Sequence, residues 1–148
     1  MLNNTWIIRL GKVGLALAAL GALDALYLTY LKLAEARAAF CQAGTGCDVV
    51  NSSPYSEIAG VPVAVLGLGA YLSILGLGVL RWKAPGVAGL AELALLAITL
   101  TGTLFSGYLT YIELFVLKAV CPYCVLSAVI LLALLGISVA RMKFAPAS

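Results

Sequence analysis

Apolar side chains occur along this chain in four long runs. The runs are Val13–Leu31, Val61–Leu80, Leu93–Ile112 and Ala119–Ala140, and Asp24 is the only charged residue inside any of them. A helix needs about 20 apolar residues to cross the ~30 Å hydrocarbon core of a bilayer. Open sheet edges are excluded from that core, and no alternating segments occur, so the pattern predicts four membrane-spanning helices.

The composition supports this prediction. The chain has 148 residues, of which 64% are hydrophobic and 10% charged, whereas an ordinary soluble domain is about 25% charged. A chain this short cannot bury so much apolar surface in a soluble core. The scattered net charge of +3 gives no sign of nucleic-acid binding. The absence of histidine excludes His-based triads and His metal sites.

We therefore expect an all-α integral membrane protein with one domain, residues 1–148, folded as a four-transmembrane-helix bundle. The predicted spans are residues about 10–34, 61–81, 88–114 and 120–141. A long outer loop of about residues 35–60 joins the first two helices, and it should contain a short helical turn from Pro54 to Glu57. A four-helix bundle can enclose a site as a monomer.

Basic residues near the ends of the spans indicate the orientation, because cytoplasmic flanks are enriched in Lys and Arg. Six lie on one side: Arg9, Lys12, Arg81, Lys83, Arg141 and Lys143. Three lie on the other: Lys32, Arg37 and Lys118. This asymmetry predicts a multi-pass protein of the inner (cytoplasmic) cell membrane with both termini in the cytoplasm. All four cysteines then lie on the outer face.

The cysteines form two closely spaced pairs. Cys41 and Cys47 lie in the long loop, and Cys121 and Cys124 form a C-x-x-C motif at the start of the fourth span. Pro122 suits the first position of a helix, and thiols of C-x-x-C motifs at helix N-termini have depressed pKa values. Cys124 would lie about 4–5 Å deeper than Cys121. A redox relay between two dithiols, two structural disulfides and a four-cysteine zinc site all remain open, as do three disulfide pairings.

The ordered motifs of the chain resemble the bacterial form of the vitamin K epoxide reductase family. One matching string runs from Cys47 through Asn51-Ser52-Ser53 and Gly60-Val61-Pro62-Val63 to Gly67, and the second is Cys121 to Cys124. The resemblance covers essentially the whole chain. Two positions depart from the animal enzymes: Ala128 stands where they carry a tyrosine, and Val63 where they carry an asparagine. Both departures favour an ordinary membrane quinone over vitamin K epoxide.

The resemblance implies a quinone-linked thiol oxidoreductase that generates disulfides. A thioredoxin-like partner would attack a Cys41–Cys47 disulfide at Cys41, and Cys47 would pass the electrons to Cys121. Cys124 would then reduce the quinone, either a ubiquinone or a menaquinone. Many bacterial relatives carry a fused thioredoxin-like domain, and because the sequence stops at Ser148 the partner is expected to be a separate extracytoplasmic protein.

Two residues near the predicted quinone site have more than one interpretation. Ser53 would be a polar residue beside the quinone and Cys124, or the N-cap of the short turn that begins at Pro54. Tyr55 would cover the quinone, or be an interfacial tyrosine.

Two other functions remain open. One is a disulfide-generating enzyme of the DsbB type, which is expected to place its C-x-x-C in the first outer loop, the reverse of the order here. The other is a non-enzymatic membrane protein, either a small proton-coupled transporter or a structural subunit, with disulfides as staples. Asp24 and Glu92 would support a transporter, because acids within a membrane are costly and often functional.

Overall fold

Four long helices make up most of the structure, a computed structural model that describes residues 4–34, 49–50 and 53–144. They are α1 (Asn4–Leu33), α2 (Val63–Lys83), α3 (Ala88–Phe115) and α4 (Pro122–Phe144). All four are long and apolar enough to cross a membrane. The prediction of an all-α membrane protein with four transmembrane helices is therefore confirmed.

The helices form a ring in which α1 packs against α2 and α4, and α3 packs against the same two helices. The end of α1 lies close to the segment before α2, because the Lys32 ammonium donates to the Ser56 hydroxyl at 3.0 Å. We call this end of the bundle the cysteine end, since α4 begins there beside Cys121. The opposite end, where α1 begins and α4 finishes, is the terminal end.

The bundle exposes many large apolar side chains on its surface and buries only a small core. Leucines on α1, α3 and α4, such as Leu23, Leu104 and Leu132, expose most of their side chains. The buried core is small and consists of the residues Ala18, Ala25, Tyr71, Ile74, Leu95, Ile130, Leu131 and Leu134. Such an apolar exterior is what lipid tails require of a membrane helix.

The segment before α2 folds into a short turn and a hairpin. A 3₁₀ turn spans Pro54–Ser56, close to the expected helical turn. It is followed by two antiparallel two-residue strands, β1 (Glu57–Ile58) and β2 (Val61–Pro62). Ala59 and Gly60 connect them with positive φ angles of 53° and 81°, as the tightest hairpin turns require. The sequence analysis did not predict this hairpin. The remainder of the predicted loop, residues 35–48 and 51–52, lies outside the described residues.

A buried ion cluster joins three helices at the terminal end. The Glu92 carboxylate on α3 pairs with Arg81 of α2 at 2.6 Å and with Arg141 of α4 at 2.8 Å. Arg141 also donates to the backbone carbonyl of Ile7 on α1, at 3.1 Å. Glu92 is therefore neutralised by two cations, which gives it a structural explanation and weakens the case for a transport role.

The contact between α1 and α2 depends on a glycine. Tyr71 of α2 is only 1% exposed, and its hydroxyl hydrogen-bonds to the Ser127 hydroxyl of α4 at 2.8 Å. The Tyr71 ring lies so close to Gly21 that a Cβ at that position would overlap it. Gly21 thus allows the tyrosine to cross the bundle and reach α4.

We expect Gly21→Ala to destabilise the protein, because the added methyl group must displace a buried ring. Overpacking of this kind costs about 1–3 kcal/mol. Gly76→Ala on α2 is the matched control, since a Cβ there meets nothing within 4 Å. Thermal unfolding of both variants in detergent measures the difference. Equal unfolding temperatures for the two variants would contradict the packing described here.

Candidate active site

A cavity of about 620 Å³ lies among the four helices. Its volume is within the range of about 300–1,000 Å³ that is usual for small-molecule sites. Its wall is mainly apolar and includes residues from every helix and from the turn and hairpin before α2. The polar residues of the wall include Asp24, Ser53, Tyr55, Glu113, Cys124 and Ser127. The structure thus provides a largely apolar chamber with a few polar groups.

Cys121 directly precedes the first residue of α4, and Cys124 is the third residue of that helix. The helix begins at Pro122, a residue suited to the first helical position because its missing N–H has no helical partner to lose. Cys124 lines the cavity, whereas the Cys121 side chain is only 2% exposed. Both are free thiols in this structure. Cys124 is therefore the cysteine of this motif that a molecule in the cavity would meet.

The pKa of the Cys121 thiol is lower than its ordinary value. The main cause is a hydrogen bond between the side chains of Cys121 and Cys124. Burial opposes this effect because it disfavours the thiolate, and backbone N–H groups of Cys124 and Tyr123 favour the thiolate. Cys121 thus occupies the position of an N-cap whose sulfur accepts from the second and third residues of the helix.

Glu113 is a site residue that the sequence analysis missed. It is only 3% exposed, lies in the last turn of α3 and lines the cavity. Its carboxylate accepts the Cys121 N–H at 3.4 Å, and its backbone carbonyl accepts the Ala119 N–H at 2.9 Å. The thiol of Cys124 is a further hydrogen-bonding neighbour of its carboxylate. An acid is therefore held against the Cys124 thiol and the backbone of Cys121.

The signal that would have revealed Glu113 is its position directly after an apolar run. The run ends at Ile112, and the link to α4 is so short that Cys121 follows only eight residues after Glu113. Lys118 adopts a positive φ of 49° in this link, which turns the chain back toward the bundle. A link this short keeps the start of α4 close to the end of α3, and therefore keeps Cys121 close to Glu113.

Ser53 and Tyr55 both line the cavity. Ser53 is buried, and its hydroxyl donates to the backbone carbonyl of Val50 at 2.7 Å. It stands at the N-cap position of the 3₁₀ turn but makes no side-chain capping bond. The missing capping bond favours the interpretation of Ser53 as a residue of the cavity wall. Tyr55 is 41% exposed and contributes to both the cavity wall and the surface.

Asp24 of α1 also lines the cavity, although the sequence analysis gave it no place in the redox site. Cys41 and Cys47, which the sequence analysis assigned to the first dithiol, lie outside the described residues. Val63, which stands where animal enzymes are expected to carry an asparagine, is a further residue of the cavity wall.

We expect Cys124→Ala to move the alkylation of Cys121 to higher pH. The alanine removes the hydrogen bond that lowers the pKa of Cys121, and only the thiolate reacts. Cys124→Ser is the matched variant, because its hydroxyl can still donate and should retain most of the effect. Alkylation rates measured by peptide mass spectrometry across a pH series test this. Superimposed curves for the two variants would show that the Cys124 donor does not matter.

Comparison with known proteins places the chain in a family. It matches the vitamin K epoxide reductase family over residues 12–139. The protein named thiol-disulfide oxidoreductase LTO1 of Arabidopsis thaliana is 34% identical over 127 residues, which amount to 82% of this chain and 34% of that protein. The chain thus spans about a third of that relative's length. Since the family match includes both cysteine pairs and most of all four helices, the chain belongs to the vitamin K epoxide reductase family.

Proposed function

We propose that this protein is a membrane thiol oxidoreductase that transfers electrons from a separate thioredoxin-like protein to a quinone, and thereby generates disulfides. The observation that carries the proposal is the position of Cys124. Its thiol lies in the first turn of α4, beside a buried acid, and lines a cavity that is large and mainly apolar. A reactive sulfur in such a chamber is suited to an apolar oxidant that dissolves in the bilayer.

A quinone fits the residues of this cavity. The mainly apolar wall suits a hydrophobic ring and its tail, and hydroxyl, carboxyl and thiol groups are available to its carbonyl oxygens. A bound quinone would supply an acceptor for two electrons and two protons. Either ubiquinone or menaquinone has this chemistry. Val63 offers no hydrogen bond at its position on the wall, which supports a quinone in preference to vitamin K epoxide.

The cysteines would act in sequence through thiol–disulfide exchange. A thiolate of the partner attacks Cys41 of a Cys41–Cys47 disulfide, and the released Cys47 thiolate attacks Cys121 of a Cys121–Cys124 disulfide. Cys124 is then released as a thiolate that faces the cavity. The second thiol of the partner displaces Cys41, and the freed Cys41 thiolate displaces Cys121 from Cys47, so the Cys41–Cys47 disulfide re-forms and Cys121 is left reduced. When the Cys121/Cys124 dithiol is reoxidised, its disulfide forms again, and two electrons and two protons leave it.

Glu113 would assist the thiol–disulfide exchange by taking a proton from Cys124 and returning it. Its carboxylate already accepts a hydrogen bond from the Cys121 backbone at 3.4 Å and neighbours the Cys124 thiol. A carboxylate held this close to a thiol can take its proton when the sulfur is needed as a thiolate.

The same function requires the cysteine end to face an oxidising compartment. We propose that this end lies on the outer side of the inner (cytoplasmic) membrane and that both termini lie in the cytoplasm. The excess of basic residues at the terminal end supports this orientation. The match to the vitamin K epoxide reductase family favours this relay over the DsbB-type arrangement, whose cysteine order is reversed.

The purified wild-type protein should reduce a quinone anaerobically when a dithiol is supplied, and Cys124→Ala should abolish the activity. The alanine variant lacks the sulfur that faces the cavity, so the loss should exceed about 10³-fold and leave only background chemistry. Ser138→Ala is the matched control, because Ser138 is buried on the same helix and is not among the residues of the cavity wall. Absorbance of quinol measures the rate. A folded wild-type protein that reduces neither a ubiquinone nor a menaquinone analogue would refute the proposal.

The contact with the partner should be Cys41. In Cys47→Ala the thiol of Cys41 is free and no resolving thiol stands beside it. A thioredoxin-like protein whose single active-site cysteine carries a thionitrobenzoate leaving group should therefore become linked to Cys41 as a lasting mixed disulfide, with release of thionitrobenzoate. Non-reducing electrophoresis and peptide mapping identify the linked residue. Cys41→Ala should give no adduct. A main adduct at Cys121 would instead indicate that the partner attacks the C-x-x-C directly.

A further inference from the structure

Asp24 is a buried acid, and one oxygen of its carboxyl group, Oδ2, has no hydrogen-bond partner among the described residues. It lies well inside α1 and is only 8% exposed. A polar atom without a partner is expensive inside a protein, and more so in a membrane. A buried acid with this energetic cost is a candidate for a functional role, because packing alone does not explain it.

The surroundings of Asp24 indicate what that use is. The residue lines the same cavity as Cys124, and its carboxyl group is close enough to interact electrostatically with the Cys124 thiol. Glu92, another acid of the helix bundle, has two arginine partners at 2.6 and 2.8 Å. Asp24 Oδ2 has no such partner among the described residues, so the neutral carboxylic acid is the form that suits its site.

A neutral carboxylic acid is a hydrogen-bond donor, and a quinone carbonyl is an acceptor. We propose that Asp24 is a catalytic residue that donates a hydrogen bond to a quinone carbonyl oxygen and delivers its proton to that oxygen during reduction. This inference rests on the proposed function, since it assigns the proton donor of the same site. It also accounts for a carboxyl oxygen without a partner in the described structure, on a residue of the cavity wall.

The step balances without any further reactant. The Cys121 and Cys124 thiols together lose two electrons and two protons, and one S–S bond forms. Asp24 gives its proton to the carbonyl oxygen that it faces, and a thiol proton then returns Asp24 to the neutral acid. The second thiol proton goes to the other carbonyl oxygen. Two O–H bonds of the quinol thus replace two S–H bonds of the dithiol.

Two substitutions separate the hydrogen bond from the proton transfer. Asp24→Asn keeps a donor of nearly the same shape but has no transferable proton, so quinone affinity should change by less than about threefold while kcat falls about 10²-fold. Asp24→Leu lacks both properties, so it should also weaken quinone binding by about tenfold. Thr29→Val is the matched control on α1, because Thr29 is equally buried and its hydroxyl bonds to its own helix, at Ala25 O. That variant should behave as wild type.

A second measurement does not depend on turnover. The infrared difference spectrum recorded when a quinone binds to oxidised wild-type protein should show a shifted carbonyl band of a protonated carboxylic acid, and the band should be missing in Asp24→Asn. No such band, an Asp24→Asn protein with wild-type kcat, or a Thr29→Val protein as impaired as Asp24→Asn would each overturn this assignment while leaving quinone reduction by the wild type intact. A wild type that binds and reduces no quinone would overturn the proposed function and this assignment together.

Discussion

A polar side chain within this bundle depends on a hydrogen-bond partner inside the protein, because lipid tails offer none. The hydroxyls of Thr99, Thr103 and Thr110 donate to carbonyls of their own helix, α3. Tyr71 spans the bundle to reach Ser127, and Glu92 is held by two arginines. The contacts of Tyr71 and Glu92 join different helices and so determine which helix faces meet. The exterior carries mainly apolar side chains, and the cavity beside Cys124 contains polar groups such as Asp24 and Glu113.

The link between α3 and α4 brings the chemistry of the site together. It is short enough that the end of one helix and the start of the next share hydrogen bonds. Glu113 accepts backbone N–H groups from Ala119 and Cys121 through its carbonyl and its carboxylate respectively. The same link places Cys121 at the N-cap of α4, where helix N–H groups favour a thiolate. An acid and a thiol are thus held next to each other by the backbone of a short link.

The sequence predicted the four helices because lipid imposes a simple rule of length and apolarity, and Pro122 marked the start of α4. It did not predict the hairpin from Glu57 to Pro62, since two-residue strands leave almost no periodicity to detect. The role of Glu92 was also hidden, because its partners Arg81 and Arg141 belong to other helices. Glu113 escaped attention because a charge just outside an apolar run is ordinarily an interfacial residue. Only its return contact with Cys121 distinguishes it.

The distribution of polar groups around the cavity argues for a site adapted to its own acceptor. Val63 stands at the start of α2 where the animal enzymes are expected to carry an asparagine, and it lines the cavity wall without a hydrogen-bonding side chain. An acid on α1, Asp24, lines the same chamber and keeps an oxygen without a partner in the described structure. A membrane protein cannot keep such an atom without cost. The hydrogen bond to an acceptor in this chamber would therefore come from Asp24 of α1. This helix packs directly against α4, which carries Cys124.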